Sequence, residues 1–237
     1  MDISIIIPAL NEQYKIGLDI MSVSNFLVKA KLEGEIIIVD DGSTDDTSQV
    51  AIQSDIPDPV SLKIIRYEKH RGKGYAVRMG IGDSRGDYVM FLDSGGNVPP
   101  SCISRGMDMI KAGKCEIAMG SRKLPDSKIH KHLSLHRRIS SFLFRKWVKL
   151  YLNIPRHLTD TQCGFKIYKG DIGRKLYQHC QSEGFLFDLE IILRAQKAKY
   201  RMLEFPLDWT CDRDSRLSII TTPKLIRDLI RIKRITA

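Results

Sequence analysis

The chain has 237 residues, 43% hydrophobic and 28% charged, with a formal net charge of +10; this composition suits one globular domain with a sizeable core and excludes a disordered tail. The positive excess is concentrated, because residues 122–149 hold nine Lys or Arg against Asp126, and residues 223–237 hold five against Asp228. Such stretches imply an anionic partner (nucleic acid, anionic lipid or a phosphorylated substrate), whereas five scattered cysteines without CxxC spacing argue against a disulfide framework and a zinc site and fit a reducing cytosol.

Short apolar runs, each followed by polar or Gly-containing turn residues, predict strands at Ile3–Pro8, Glu35–Val39, Leu62–Tyr67, Asp87–Asp93 and Cys115–Gly120. Helical spacing between them predicts helices at Ile16–Lys31, Asp45–Gln53, Gly74–Ser84 and Pro99–Lys111. Alternating strands and helices of this kind predict an α/β fold with a mostly parallel sheet covered on both faces. In such sheets ligands bind beyond the carboxyl ends of the strands, and that is where Asn11, Glu12, Asp40, Asp41 and Asp93 fall.

Past Arg122 the character changes. Pro125–Lys131 is polar and basic, and Arg137–Tyr151 predicts a helix with Ile139, Phe142, Leu143, Trp147, Leu150 and Tyr151 along an apolar stripe flanked by Arg and Lys. Cys163–Tyr168 predicts another strand, Leu186–Lys197 another helix, and Pro223–Arg234 a second basic amphipathic helix. No run reaches the ~20 apolar residues of a membrane-spanning helix. The N-terminus enters an apolar strand without a basic segment before it, so no cleavable signal is expected.

Three features carry chemistry. The Val39-Asp40-Asp41-Gly42-Ser43-Thr44-Asp45-Asp46 stretch places carboxylates at a strand exit. Asp45 or Asp46 fits a helix cap, while the adjacent Asp40 and Asp41 would repel one another unless something binds them, so Asp40 is expected to face the crevice and not the core. His70-Arg71-Gly72-Lys73-Gly74 opens a helix and fits a phosphate-binding turn. Phe91-Leu92-Asp93-Ser94-Gly95 ends a buried strand on a carboxylate.

In this order, with Ile6-Ile7-Pro8-Ala9-Leu10-Asn11-Glu12 before them and Gly120-Ser121-Arg122 after, these segments resemble the family-2 glycosyltransferases, whose fold is the GT-A, Rossmann-like, mixed but mostly parallel sheet. Asp160-Thr161-Gln162-Cys163-Gly164-Phe165-Lys166 resembles the signature of the dolichyl-phosphate β-glucosyltransferases and is similar to that of dolichyl-phosphate mannose synthase; Phe187-Asp188-Leu189-Glu190 and the Pro206 to Trp209 segment extend the likeness. The resemblance implies an inverting transferase that moves a hexose, glucose from UDP-glucose being favoured over mannose from GDP-mannose, to a polyprenyl phosphate. It implies that Pro8, Ala9, Asn11, Glu12, Asp40, Asp41, Lys73, Asp93 and Ser94 line the nucleotide-sugar site. Asp93 would hold a divalent cation (Mg²⁺ or Mn²⁺), Arg122 would approach the phosphates, and Asp160, Gln162 and Lys166 would face the sugar and the acceptor phosphate.

The chain then divides into a nucleotide-sugar half (1–122), an acceptor and interface half (123–222) and a basic C-terminal helix (223–237) within one domain. Its basic amphipathic helices would dock it peripherally on the anionic cytosolic face of a membrane, where a membrane-protein partner also has room. One departure stands out: where the family has Asp-Ala-Asp, this chain has Asp93-Ser94-Gly95, with Asn97 as a further oxygen donor. Transfer to a polysaccharide hydroxyl, a nucleotidyltransferase and a basic nucleic-acid-binding module are the competing readings. The last is disfavoured because no nucleic-acid motif accompanies the charge.

Overall fold

A computed structural model describes residues 1–130, 146–210 and 223–236. Its centre is a seven-stranded sheet in the order β3-β2-β1-β4-β7-β5-β8, formed by Ile3–Ala9 (β1), Gly34–Asp40 (β2), Ser61–Arg66 (β3), Tyr88–Leu92 (β4), Ile117–Ser121 (β5), Phe165–Lys169 (β7) and Met202–Pro206 (β8). Only β7 runs against its neighbours, β4 and β5; the other pairings, such as Ile3 with Gly34 and Ile117 with Met202, are parallel. Lys128–Ile129 (β6) and Asp208–Trp209 (β9) pair as a small second sheet.

The helices are Ile16–Lys29 (α1), Thr47–Ile52 (α2), Lys73–Asp83 (α3), Cys102–Lys111 (α4), residues 146–151 (α5), Gly170–Gln178 (α6), Phe187–Lys197 (α7) and Pro223–Thr236 (α8). They cover both faces, so the strands are apolar on both sides and alternate between two cores. Ile3, Ile5, Ile7, Ile36 and Ile38 pack with Ile16, Ile20, Val23 and Leu27 of α1 and with Ile103 and Met107 of α4. Ile6, Ile37, Val39 and Phe91 turn the other way, onto Val77 and Ile81 of α3, Phe187 and Ile191 of α7, and Leu229 and Ile232 of α8. Each fully buried side chain of this size contributes about 1.5–3 kcal/mol of transfer free energy.

Every strand predicted from the sequence is present within one or two residues. Strands β6, β8 and β9 and helix α6 were not predicted. Of the Arg137–Tyr151 helix, residues 146–151 are helical, while Arg137, Arg138, Ile139, Phe142, Leu143 and Arg145 lie outside the described residues. Among the described residues no helix is long and apolar enough to cross a membrane.

Candidate active site

Because β7 is reversed, its amino end shares an edge with the carboxyl ends of β1, β2, β4 and β5. That edge gathers Asn11 and Glu12, Asp40 and Asp41, Asp93 and Ser94, Arg122, and the segment from Asp160 to Lys166. The loops after β1 and β2 are stitched together. The Asn11 backbone N–H donates to Ser43 Oγ (2.9 Å), Thr44 N–H donates to Asn11 Oδ1 (2.9 Å), and Glu12 N–H donates to Thr47 Oγ1 (2.8 Å). Asp45, not Asp46, caps α2, by accepting from Thr47 N–H at 3.1 Å. Pro8 is half-buried and Ala9 buried beneath this lattice, and the Ala9 carbonyl accepts from Asp41 N–H at 2.9 Å.

The adjacent acids Asp40 and Asp41 avoid repulsion by pointing apart. Asp40 is fully buried; its Oδ1 accepts from Ser43 N–H (2.8 Å), its Oδ2 from Ser48 Oγ, and Arg66 Nε stands 3.7 Å away. Both oxygens are engaged within the turn and the side chain is fully buried, which corrects the expectation that Asp40 faces the crevice: it holds the β2–α2 turn from inside. Asp41 accepts from Arg71 N–H (2.7 Å) and Gly72 N–H (2.9 Å) and meets His70 Nδ1 at 2.8 Å, so it fixes the loop leading into α3.

The glycines of that loop are needed for close packing. A Cβ on Gly72, which has φ 115°, would lie 2.5 Å from the Glu183 carbonyl oxygen, and one on Gly74 would lie 2.4 Å from that of Ser182. The 182–184 loop is latched by Arg71 Nη2 on Glu183 (2.6 Å) and by buried Glu190, which accepts from Gln181 N–H and Ser182 N–H. The clasp delivers Lys73, the first residue of α3, to Asp93, with which it forms an ion pair. Burial alone would lower the Lys73 ammonium, but the charges of Asp93 and Asp188 outweigh it and raise it above its ordinary value.

Asp93 lies directly against Gly164 of the Asp160–Lys166 segment: a Cβ there would fall 2.1 Å from Asp93 Oδ2. The turn after Asp93 is held from α1, where buried Asp19 accepts from Gly95 N–H at 2.8 Å. Burial raises the Asp19 carboxyl to about 6, with Gly95 and Gly96 N–H opposing. Gly95 itself has φ 99°. Asn97 Nδ2 donates to the Ser94 carbonyl oxygen at 3.4 Å, keeping the half-buried Ser94 beside Asp93.

On the other side, Arg122 grips Asp160 through a two-pronged contact, Nε to Oδ2 at 2.6 Å and Nη2 to Oδ1 at 2.8 Å. Asp160 is fully buried, which corrects the expectation that it faces the sugar and the acceptor and leaves it to orient Arg122. Burial would raise the Asp160 carboxyl, but the Arg122 charge and its hydrogen bonds hold it down at about 2. The guanidinium lies 5.4 Å from the Trp209 ring centroid. Behind the pair, Glu204 of β8 accepts from Thr159 N–H (2.6 Å) and Asp160 N–H (2.7 Å). Gln162 is half-buried in the same segment. Lys166 corrects the expectation placed on it: it is 1% exposed, pairs Asp188 Oδ1 at 2.7 Å and donates to the Cys163 carbonyl oxygen at 2.7 Å, so it cannot reach an acceptor phosphate.

Asp19, Asp188 and Glu204 are the supporting residues that the reading of motifs passed over or left without a role. Asp19 had a signal, since it falls on the same helical face as Ile16, Ile20 and Val23. Asp188 and Glu190 had one too, as acids inside the apolar run of α7. Glu204 had none.

The fit to a divalent cation is narrow. Among the described residues no group of three His, Cys, Asp or Glu could hold a metal ion. Asp93 Oδ1 is nonetheless buried and, apart from the Lys73 ammonium, receives no hydrogen bond. One carboxylate suits a cation such as Mg²⁺ that keeps waters and takes most ligands from substrate phosphates, so the residues present fit a cation shared with a diphosphate.

Comparison with known proteins identifies the family and the fold. The model of glycosyl transferase family 2 matches residues 4–176. Dolichyl-phosphate beta-glucosyltransferase of Dictyostelium discoideum is 31% identical over 98% of this chain and 73% of its own length, and that of Saccharomyces cerevisiae is 31% identical over 98% and 74%. Among solved structures, glucosyl-3-phosphoglycerate synthase from Mycobacterium tuberculosis in complex with Mn²⁺, UDP-glucose and phosphoglyceric acid superposes with a TM-score of 0.68 at 17% identity, covering 98% of this chain and 76% of that one. With the family model spanning most of its length, this chain belongs to glycosyl transferase family 2 and is a glycosyltransferase of the GT-A fold.

Proposed function

We propose that the chain transfers glucose from UDP-glucose to the phosphate of a polyprenol of the dolichyl type, with inversion at the anomeric carbon. One observation carries this reading: the Lys73–Asp93 and Arg122–Asp160 pairs lie at one sheet edge, in a chain whose near-full-length relatives are dolichyl-phosphate beta-glucosyltransferases. Residues 1–122 would hold the donor, with Pro8, Ala9, Asn11, Glu12, Asp41 and Ser94 around the nucleotide, and the acceptor would enter from the 123–222 side.

The acceptor phosphate is anionic at neutral pH, so a strong general base is unnecessary. Its oxygen attacks the anomeric carbon as the bond to the donor diphosphate breaks, and the electron pair leaves with UDP. The charge that develops on the leaving group is met by Lys73 and by Arg122, whose Nη1 has no partner among the described residues once Asp160 has taken Nε and Nη2. Asp160 orients the guanidinium and stays ionised throughout, because Arg122 holds its carboxyl so low. Gln162 beside it suits a hydrogen bond to the sugar or the acceptor. A divalent cation bound at Asp93 supplies Lewis-acid charge at the leaving diphosphate.

A polyprenyl tail stays in the bilayer, so the enzyme must work at a lipid surface. Helices α5 and α8 suit that task. Trp147 and Leu150 of α5 are exposed, as are Ile226 and Ile230 of α8 with Arg227, Arg231 and Arg234 around them. The helices are joined where Lys233 Nζ sits 4.2 Å from the Tyr151 ring centroid. Apolar side chains ringed by cations are the pattern of an interfacial helix, which supports peripheral docking on an anionic leaflet, in this reading the cytosolic one. The test is a panel of UDP- and GDP-sugars assayed with a short-chain polyprenyl phosphate, with and without Mg²⁺ or Mn²⁺. A β-glucosyl phosphate formed from UDP-glucose is expected; transfer from GDP-mannose alone, or only to a sugar hydroxyl, would refute the reading.

A further inference from the structure

This inference rests on the placement of a divalent cation at Asp93. The carboxylate oxygen that such a cation needs is already occupied, since Lys73 Nζ sits on Asp93 Oδ1 and, among the described residues, no other donor reaches that buried atom. The basic side chains described around it are paired as well. Lys73 pairs with Asp93, Lys166 with Asp188, and Arg122 with Asp160, each cation matched to one carboxylate. Lys73 and Lys166 both stand close to the Phe91 ring, 5.7 and 5.4 Å from its centroid, so the first two pairs share one apolar surround.

A bare divalent cation entering this group must displace the ammonium and leave two positive charges uncompensated at a partly exposed pair that solvent screens only in part. A nucleoside diphosphate arriving with it brings the matching negative charge and offers the displaced ammonium a new partner. We propose that Lys73 is the resident counter-ion of Asp93 in the donor-free protein and gives way to the cation only as the donor diphosphate arrives, so that cation and donor bind as one unit.

Two features of the fold suit this exchange. The backbone around Lys73 is clamped on both sides, by Asp41 on the N–H groups of Arg71 and Gly72 and by the 182–184 loop against Gly72 and Gly74, so only the lysine side chain needs to move. Gly95 occupies the position where the family carries a second carboxylate, and its lack of charge leaves Lys73 opposite one carboxylate of the turn itself, Asp93, with Asp19 of α1 bonded to the turn's backbone. A second acid there would leave a standing negative charge that attracts the cation without donor.

The test follows free Mn²⁺ by electron paramagnetic resonance, titrating the full chain with and without UDP. The parent should hold Mn²⁺ weakly alone and more tightly with UDP. Lys73→Met, which keeps the apolar stem, should hold Mn²⁺ alone at least ~10-fold more tightly than the parent, since one unit charge has left the site. The gain from UDP should shrink to match, because the coupling is reciprocal. Unchanged Mn²⁺ affinity in folded Lys73→Met and in Lys73→Gln would overturn the proposal. Should neither variant fold, acetylation of Lys73 in the parent, read by peptide mass spectrometry, decides: a rate altered by Mn²⁺ with UDP but not by Mn²⁺ alone supports the exchange, and any other pattern overturns it. Asp93→Asn separates the two layers of the argument. If it holds Mn²⁺ with UDP as the parent does, the cation is not on Asp93 and the placement fails together with the exchange. If it loses Mn²⁺ while Lys73→Met behaves as the parent, only the exchange fails.

Discussion

Gly164→Ala tests whether the two halves of the site meet where the structure puts them. A methyl group on Gly164 would lie 2.1 Å from Asp93 Oδ2, 2.2 Å from its Cγ and 2.3 Å from its Oδ1. An ordinary contact needs more than 3 Å, so the carboxylate must retreat by roughly 1 Å or rotate away, and overpacking of this kind costs about 1–3 kcal/mol. Asp93 has an escape, because its side chain is 38% exposed; rotation toward solvent would hold the stability loss near the lower limit. Either movement breaks the Lys73–Asp93 pair. For a chain of this length each kcal/mol corresponds to roughly 2–4 °C of melting temperature, while a misplacement of about 1 Å at reacting groups costs on the order of 100-fold in rate. The assay pairs a melting curve with glucosyl transfer to a short polyprenyl phosphate, and Gly82→Ala serves as control. A Cβ at Gly82 meets nothing within 4 Å in α3, so that variant should gain about 0.5–1 kcal/mol with unchanged activity. A Gly164→Ala enzyme as active and as stable as the parent would refute the contact between Asp93 and the Asp160–Lys166 segment.

Asp40→Ala should lower stability by about 2–3 kcal/mol, since it strips partners from Ser43 N–H, Ser48 and Arg66 inside a buried turn; an unaltered urea midpoint would show that the turn holds without it. Asp19 binds its proton more tightly folded than unfolded, so its contribution to stability is complete below about pH 4 and is lost as pH rises through about 6. Asp19→Asn should therefore gain on the parent by up to ~3 kcal/mol between pH 4 and pH 7.5, and a difference that does not vary with pH would refute that assignment. Gly95→Asp should melt lower, because φ 99° strains any side chain by about 1–2 kcal/mol; an undiminished melting temperature would contradict it. Replacing Arg227, Arg231 and Arg234 by Gln should weaken binding to anionic vesicles by ~1 kcal/mol per residue at low salt and less at high salt. Trp147→Ser should weaken it at every salt concentration, and vesicle sedimentation equal to the parent's in both variants would remove α5 and α8 from the membrane.

The strands and the edge they share were legible in the sequence because both follow from short-range pattern. Apolar runs such as Ile3–Ala9 and Gly34–Asp40 can bury both faces only inside a covered sheet, and acids immediately after them fall on its rim. The edge strand β8 was not legible. Met202–Pro206 carries an exposed Leu203 and a half-buried Glu204, so its alternation is weak, and its place in the sheet is decided by pairing with Ile117–Ser121 some 80 residues earlier.

Residue type was readable at the site; the direction each side chain takes was not. Asp40 and Asp41 are neighbours of one kind, yet one serves its own turn and the other the loop into α3, because strand residues alternate in direction. The same alternation sends Lys166 into the sheet to meet Asp188, while Asp160, before the strand begins, stays at the rim with Arg122. What looks in the sequence like a crowd of charges awaiting substrate is in the fold a set of closed pairs. On the proposed reading, a substrate phosphate competes for cations that, among the described residues, already have partners. The affinity of this site for its donor is the difference between two sets of ion pairs, and substitutions on the carboxylate side should alter donor binding as strongly as substitutions of the lysine and arginine themselves.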